Sequence, residues 1–238
     1  MCTCQPPQPQ NYGQLHNAAM DYLYSAFSQI PLVPSVTTIG SVQIISTCLE
    51  SLGQFYNQSI PNFAVNAKAI SLQEISVLFN LNGNLTTYQN NNFNNLFFST
   101  QSQNYISQLQ TALNENLPAQ QYISTLTGIY NALVADTTVP NRESEQMQAI
   151  LQIGIYSCQY WSNTSNQTKW SSLFTNQPPP TPSYTAIWKA DAAGAVGGAV
   201  RGAILCIGGP IGWGAFGLGV LAGAGAASAG AAVLNWLN

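Results

Sequence analysis

Apolar residues recur at intervals of three and four along most of the chain, and prolines divide this pattern into segments. From Tyr12 to Ile30 the apolar positions form one stripe, which predicts an amphipathic helix. Further stripes of this kind begin near four residues: Ser35, Pro61, Pro118 and Pro140. Alternation of apolar and polar residues, which is typical of strands, is not convincing in any segment, so the sequence predicts an all-α fold.

Three segments interrupt the regular pattern. Residues 85–116 are rich in Asn and Gln, and we predict one long helix there with a weak or broken beginning. Residues 162–168 are polar and are expected to form a loop, followed by a short helix at 169–174. Four prolines between residues 178 and 182 predict a stiff, extended linker.

These features divide the chain into four regions. We predict a flexible N-terminus at 1–11, an irregular bundle of about six helices at 12–176, a Pro-rich linker at 177–184 and a Gly/Ala-rich helical hairpin at 185–238. We expect the bundle to fold without the hairpin, because its helices carry their own apolar stripes and the linker should bring few contacts across.

Small residues recur every four positions in both halves of the hairpin. The first file consists of Ala190, Gly194, Gly198, Gly202 and Cys206; the second follows Gly208-Gly209-Pro210 and consists of Ala215, Gly219, Gly223, Ala227 and Ala231. Positions four apart lie on one face of a helix, and small side chains there let two helix backbones approach closely. The sequence therefore predicts helix–helix packing along these two small-residue files.

The hairpin is long enough to cross a bilayer. Residues 190–207 make about 27 Å of helix and residues 211–236 about 39 Å, against a hydrocarbon core of about 30 Å. Arg201 lies near the middle of the first helix, where its cost of about 2.5 kcal/mol offsets nearly all that the large apolar residues contribute. We therefore expect insertion to be conditional, with Arg201 as the insertion switch.

Two tryptophans fall at the open end of the hairpin. Trp188 and Trp236 lie there with Lys189 beside the first, and we expect these three residues to act as membrane-interface anchors. The alternative is that both helices pack against protein, either the bundle or another subunit. Gly costs a helix about 1 kcal/mol relative to Ala in water, so this many glycines need close packing in lipid or in protein.

The ladder of Gly194, Gly198 and Gly202, with Ala and Val between them, resembles the glycine-zipper segments of bacteriocin-like and other membrane-active bacterial proteins. The resemblance is confined to the C-terminal hairpin. It implies association of helices in a target membrane and permeabilisation of that membrane, and it implies no catalytic residues.

The composition is unusual in its charge. Charged residues make up only 5% of the chain, so its polar surface must consist mainly of Asn, Gln, Ser and Thr. The net charge of −3 provides no basic surface for nucleic acid and none for strong attraction to anionic lipid. Sparse charge also weakens the repulsion between copies, so self-association is expected.

The first residues lack the pattern of a secretory signal, because Met1 to Cys4 are followed by Gln and Pro instead of a basic and then an apolar segment. We expect synthesis in the cytoplasm, and export or delivery to a target membrane by another route. The five cysteines have no paired spacing that indicates a disulfide framework or a zinc site, so free thiols are expected.

Residues suited to catalysis are sparse. The chain has one histidine and eight acids spread along its length, whereas acid–base and metal chemistry need clustered groups. His16 is expected at the surface or cap of the first helix, and Asp21, five residues on, does not share its face. Motifs for a nucleophilic serine, a phosphate or a dinucleotide are missing. The sequence therefore predicts a protein that is not an enzyme and that binds no metal or cofactor.

Two functional hypotheses follow. The first is a membrane-active, toxin-like protein whose hairpin inserts conditionally into a lipid membrane and oligomerises into a pore, with a carrier or immunity protein as a further partner. The alternative is a non-enzymatic structural or assembly protein, in which the hairpin packs against copies of itself or a carrier complex. Deletion of residues 184–238 distinguishes them, because it removes liposome leakage in the first case and assembly in the second.

Overall fold

A computed structural model of the chain describes residues 11–29, 38–59, 64–80, 85–93, 98–174, 184–205 and 212–237. These residues form ten α-helices and one 3-10 turn (Ser172–Phe174), and no strand occurs among them, so the all-α fold class is confirmed. The helices are α1 (Tyr12–Ser28), α2 (Thr38–Ser59), α3 (Ala64–Asn80), α4 (Leu85–Phe93), α5 (Thr100–Asn114), α6 (Ala119–Ala135), α7 (Asn141–Ser162), α8 (Thr164–Ser171), α9 (Tyr184–Leu205) and α10 (Gly212–Leu237).

In segment 85–116 the structure has two helices, α4 and α5, so the single long helix was wrong, and its weak or broken beginning corresponds to α4. Helix α5 begins after Ser99, whose backbone N–H and hydroxyl both donate to Oε2 of Glu143, at 3.0 and 2.6 Å. A carboxylate that accepts from the residue before a helix stabilises its N-terminus. The start of α5 is therefore fixed by a residue of α7 that local periodicity does not indicate.

The polar loop expected at 162–168 was also wrong, because helix α8 begins at Thr164. The side chain of Asn163 accepts hydrogen bonds from the backbone N–H groups of Ser165 and Asn166, at 2.9 and 3.4 Å. Asn is among the best residues at this capping position. A polar segment without an apolar stripe therefore becomes helical through its cap.

Helices α9 and α10 pack along each other and lie inside the other helices. Helix α10 contacts α1, α2, α3 and α7, and helix α9 contacts α3, α4 and α7. Every residue from 187 to 198 and from 219 to 232 is buried. These two segments of the Gly/Ala hairpin therefore lie at the centre of the described structure, and helices α1 to α8 are called the shell here.

Large aromatic side chains fill the space between the shell and the hairpin. The ring centroids of Tyr122 in α6 and Trp188 in α9 are 4.1 Å apart, and those of Trp161 in α7 and Trp170 in α8 are 5.4 Å apart. All four side chains are buried. Aromatic pairs at such distances contribute about 0.5–1.5 kcal/mol beyond their area burial, so the first pair reinforces a contact between the shell and the hairpin and the second a contact within the shell.

The predicted division into bundle, linker and hairpin domains stays a prediction. Residues 1–10, the Gly-Gly-Pro break at 208–210 and residues 177–183 of the linker lie outside the described residues. Among the described residues, side chains from both sides of the expected boundary belong to one hydrophobic core. The two free cysteines among the described residues, Cys48 and Cys158, are part of that core.

Candidate functional site

The small-residue files of α9 and α10 lie against each other. A Cβ atom added to Gly194 would lie 2.5 Å from both the Cβ of Ala227 and the carbonyl oxygen of Gly223. A Cβ atom added to Gly198 would overlap the carbonyl oxygen of Gly219, and one added to Gly223 would overlap that of Gly194. Only glycine fits at these three positions, because the neighbouring atoms belong to backbone and cannot move aside.

The ends of the two files are less fully described. Ala190 and Ala231 are buried on α9 and α10, whereas Gly202 and Ala215 lie in these helices at positions where only the backbone is described. Cys206 lies outside the described residues. The close contact that the structure describes therefore concerns the middle of the files, from Gly194 to Gly198 and from Gly219 to Ala227.

The residues expected to anchor the hairpin at a membrane contact protein in this conformation. Trp188 is buried against Tyr122, and the ammonium group of Lys189 donates to the carbonyl oxygen of Glu115 at 2.7 Å. Trp236 and Arg201 lie in helices α10 and α9, but their side chains are not described. The roles of these four residues as anchors and as insertion switch stay predictions.

The hairpin is also held by polar groups of the shell. Three buried side chains from three different helices donate to its backbone carbonyl groups: Tyr56 of α2 to Leu221 at 2.6 Å, Ser71 of α3 to Ala222 at 3.2 Å, and Asn92 of α4 to Ala193 at 3.0 Å. Carbonyl oxygens within a helix can accept a second hydrogen bond. These bonds fix the position of the hairpin along its own axis, which packing of alanine and glycine alone does not specify.

A second group of polar residues lies at the centre of the molecule and is called the polar cluster here. Oδ2 of Asp191 in α9 accepts from the hydroxyl of Ser157 and from Nε1 of Trp161 in α7, the latter at 3.2 Å. Nε1 of Trp161 also lies 3.2 Å from Oγ of Ser228 in α10. Nε2 of His16 in α1 lies 3.5 Å from Oδ2 of Asp191. All five side chains are fully buried, so the polar cluster ties α1 and α7 to both helices of the hairpin.

Burial changes the protonation of both ionisable members of the polar cluster. It raises the pKa of Asp191 to about 7, although the nearby donor groups of Ser157, Ser228 and Trp161 act in the opposite direction. Burial also lowers the pKa of His16 to about 4, although the hydrogen bond with Asn17 acts against it. A buried site disfavours the charged form of either group, and the neutral forms are therefore favoured together.

Sequence reasoning missed the polar cluster. His16 is fully buried, so its expected place at the surface or cap of α1 was wrong. It lies three residues before Ala19 and seven before Leu23, on the same buried stripe, and this spacing is a signal that could have identified it. Asp191 is surrounded by small apolar residues in sequence, but nothing local indicates that a histidine from the other end of the chain lies beside it.

The cluster does not have the arrangement of a catalytic triad. In such a triad the histidine lies between the serine and the carboxylate. Here the hydroxyl of Ser157 donates to the carboxylate of Asp191, and both residues are fully buried. The arrangement serves to hold helices together. No group of three or more potential metal ligands occurs among the residues that the structure describes.

Neither the mean hydropathy of the helices nor a comparison with known proteins assigns a function to this site. Within the described parts of the chain, no helix combines the length and the mean hydropathy that a membrane span requires. Comparison with protein families, with curated proteins and with solved structures gave no match to this chain.

Proposed function

We propose that the protein is membrane-active and toxin-like, and that the α9–α10 hairpin is stored inside the helical shell and released into a lipid bilayer. The observation that carries the proposal is the position of the hairpin: the segments 187–198 and 219–232 are buried at the centre. An apolar element that must cross water before it reaches a membrane needs such a cover.

The shell helices are suited to leave the hairpin without unfolding. Helices α1, α5 and α6 each have one buried face and one exposed polar face. Amphipathic helices of this kind can lie in the interface of a bilayer with their apolar face turned to the lipid. The buried face of α1, which contacts α10, is therefore available to bind the membrane when the hairpin departs.

The two helices of the hairpin should enter the membrane as one unit. Neither meets the hydropathy of an independent span within its described residues. The close contact of Gly194 and Gly198 with Gly219 and Gly223 is of the type that holds helices together in lipid, where small residues let backbones approach. Oligomerisation into a pore is then a later step, which needs other faces of the same helices.

The position of the files favours this function over assembly. An assembly protein that used the small-residue files to bind further copies would have to present them, whereas here they contact each other within one chain. The backbone carbonyls of the hairpin are likewise bound by Tyr56, Ser71 and Asn92 of the shell. In this conformation the described parts of the two files are not presented to a second copy.

A reversible crosslink between shell and hairpin tests the proposal. A Cβ atom added to Gly154 of α7 lies 3.6 Å from the Cβ of Ala192 of α9, which is within the range of about 3.5–4.5 Å for a disulfide. The double variant Gly154→Cys/Ala192→Cys is made with the five native cysteines replaced by Ala. We expect the oxidised protein not to release dye from liposomes, and reduction by dithiothreitol to restore release.

The two single-cysteine variants are the matched controls, because each carries one of the two introduced side chains but cannot form the bond. They should release dye equally with and without reductant. Because the net charge is −3, release should not depend on anionic lipid and should occur from phosphatidylcholine vesicles. Equal leakage from the oxidised and reduced double variant, or no leakage from any form, would contradict the proposal; the second result, with light scattering that shows large complexes, would favour assembly.

A further inference from the structure

His16 of α1 and Asp191 of α9 form a buried pair across the boundary between the shell and the hairpin. Nε2 of His16 lies 3.5 Å from Oδ2 of Asp191, and neither side chain is exposed. We propose that this pair is a latch that holds the hairpin against α1 with one shared proton, and that it keeps this attachment insensitive to mild acidification. The connection of the latch to hairpin release rests on the proposed function.

The hydrogen bonds around His16 determine where its own proton lies. Nδ2 of Asn17 donates to the carbonyl oxygen of Tyr156 at 3.1 Å, so Oδ1 of Asn17 is the atom that faces His16. Nδ1 of His16 lies 3.1 Å from that oxygen, and therefore Nδ1 carries the hydrogen. In a neutral imidazole this leaves Nε2 with a lone pair directed at Asp191.

Without a further proton, the lone pairs of Nε2 of His16 and of Oδ2 of Asp191 face each other. Nε2 of His16 and Oδ1 of Asp191 are buried and have no hydrogen-bond partner among the described residues. Ser157 and Trp161 already donate to Oδ2 of Asp191. A single proton on the pair, held by the carboxyl group or by Nε2, converts the opposed lone pairs into a hydrogen bond with a small movement of either side chain. Geometry thus requires one proton, whichever atom holds it.

Mild acid should not loosen the latch, because the pair binds the same number of protons in the folded and in the unfolded chain. Burial raises the pKa of Asp191 to about 7 and lowers that of His16 to about 4, so the folded pair holds one proton between these values. In the unfolded chain the ordinary pKa values are about 3.9 and 6.5, so between them the histidine holds one proton and the aspartate none. Folding therefore neither binds nor releases a proton through this pair over that range.

Asp191 and His16 change the stability of the fold with pH in opposite directions. The raised pKa of Asp191 stabilises the fold at low pH, and this contribution is lost as the pH rises towards 7. The lowered pKa of His16 destabilises the fold as the pH falls from 6.5 towards 4. Each amounts to about a tenfold change in the unfolding equilibrium constant per pH unit, because each corresponds to one proton. They cancel only while both residues are present.

The other ionisable groups near the pair do not take part in this exchange. Burial raises the pKa of Tyr56, Tyr88 and Tyr122 above their ordinary value, so these hydroxyls stay protonated. The other buried ionisable groups among the described residues are the thiols Cys48 and Cys158, the hydroxyl of Tyr160, whose pKa burial also raises, the carboxyl group of Glu74, which accepts from Tyr88, and Lys189, which donates to Glu115. All of them are unchanged in the variants below, so a comparison with the wild type isolates the pair.

Urea unfolding of the full chain between pH 4.5 and 6.5 tests the latch. Relative to the wild type, the unfolding constant of Asp191→Asn should rise about tenfold for each pH unit of acidification, because only His16 remains. That of His16→Gln should fall by a similar factor, because only Asp191 remains. The double variant should again follow the wild-type profile. Ser71→Ala, which removes a buried bond to the hairpin without a titratable group, should shift the constant equally at every pH.

An NMR titration of the wild type tests the same point without any variant. The His16 ring should keep its Nδ1–H tautomer and should not titrate between pH 4.5 and 6.5. Titration near pH 6.5, or single-variant profiles parallel to the wild type, would overturn the latch. Leakage separates this proposal from the proposed function: at pH 5, Asp191→Asn should release more liposome dye than at pH 7 and the wild type should not. If the unfolding profiles agree with the prediction and no variant releases dye, the result contradicts the proposed membrane function and supports the latch.

Discussion

Gly198 and Gly219 face each other so closely that a Cβ atom on Gly198 would overlap the carbonyl oxygen of Gly219. Gly198→Ala should therefore lower the free energy of unfolding by about 3 kcal/mol, because backbone cannot move aside as a side chain can. Gly128→Ala is the matched control: it lies in helix α6 with no atom within 4 Å of the added Cβ. It should raise stability by about 0.5–1 kcal/mol through helix propensity. Urea unfolding measures both.

A gain of stability in both variants would contradict the close packing of α9 and α10. If the distance between the two helices can increase without cost, alanine at residue 198 should act like alanine at residue 128. The comparison also bears on the predicted small-residue files, since a file that is not a contact surface accepts larger side chains along its whole length.

The individual helices could be predicted from the sequence because their signals are local. The spacing of Ala19, Leu23 and Phe27 shows that one face of α1 is buried, and the prolines separate the segments. The partner of that face could not be predicted. An apolar stripe shows that the helix packs against another element but does not identify that element. Here α1 packs against α2, α7 and α10, which come from the whole length of the chain.

Trp161 connects three elements of the core through one nitrogen atom. Its Nε1 lies 3.2 Å from Oδ2 of Asp191 and 3.2 Å from Oγ of Ser228. Trp161→Phe should destabilise the protein by about 1 kcal/mol more than Trp170→Phe, which removes a ring of the same size. Nε1 of Trp170 donates to the hydroxyl of Tyr160, which keeps a second partner in Asp21. Urea unfolding followed by circular dichroism compares the two, and equal losses would argue against a special role of the polar cluster.

Glu143 should stabilise the protein in a pH-dependent manner. Its partial burial alone would raise its pKa, but hydrogen bonds from Ser102 and Ser99 outweigh this, and the pKa lies below the ordinary value of 4.5. The stabilisation is therefore present above pH 4.5 and is lost as the pH falls below it. Glu143→Gln should lower the free energy of unfolding by about 1–2 kcal/mol at pH 7 and flatten its decline in acid.

Glu145→Gln, two residues on and exposed, is the control for the Glu143 variant and should change stability by less than about 0.5 kcal/mol. Acids in the first turn of a helix ordinarily interact with the N-terminus of that helix. Glu143 instead accepts from Ser99 and Ser102 of another helix, and a contact across 41 or more residues has no local signal. An acid profile of Glu143→Gln that parallels the wild type would show that the contact does not form.

Arg201 should limit entry of the hairpin into lipid. A charged residue near the centre of α9, the less hydrophobic helix of the hairpin, costs about 2.5 kcal/mol in a bilayer. Arg201→Leu should therefore increase the fraction of protein that remains with membranes after carbonate extraction. Arg142→Leu, at an exposed position of α7, is the matched control and should not change this fraction. If neither variant differs from the wild type and liposomes recruit neither, Arg201 is not an insertion switch.

Removal of the hairpin should leave helices without a fixed core. The apolar stripes of the sequence predict that residues 12–176 fold alone, but in the structure helices α1, α2, α3, α4 and α7 pack against α9 and α10, whose segments 187–198 and 219–232 are buried. In a chain of residues 1–176, Trp161 loses both of its acceptors, and the ring of Tyr122 loses its contact with Trp188. Secondary structure formed by local pattern can persist when specific packing is lost. We therefore expect a helical far-UV spectrum, a weak near-UV spectrum, binding of a hydrophobic dye and no cooperative unfolding in urea, whereas the full chain unfolds cooperatively. A truncated chain with a strong near-UV signal and a sharp transition would show that the bundle folds independently, and the hairpin would then be an appendage that the shell merely covers.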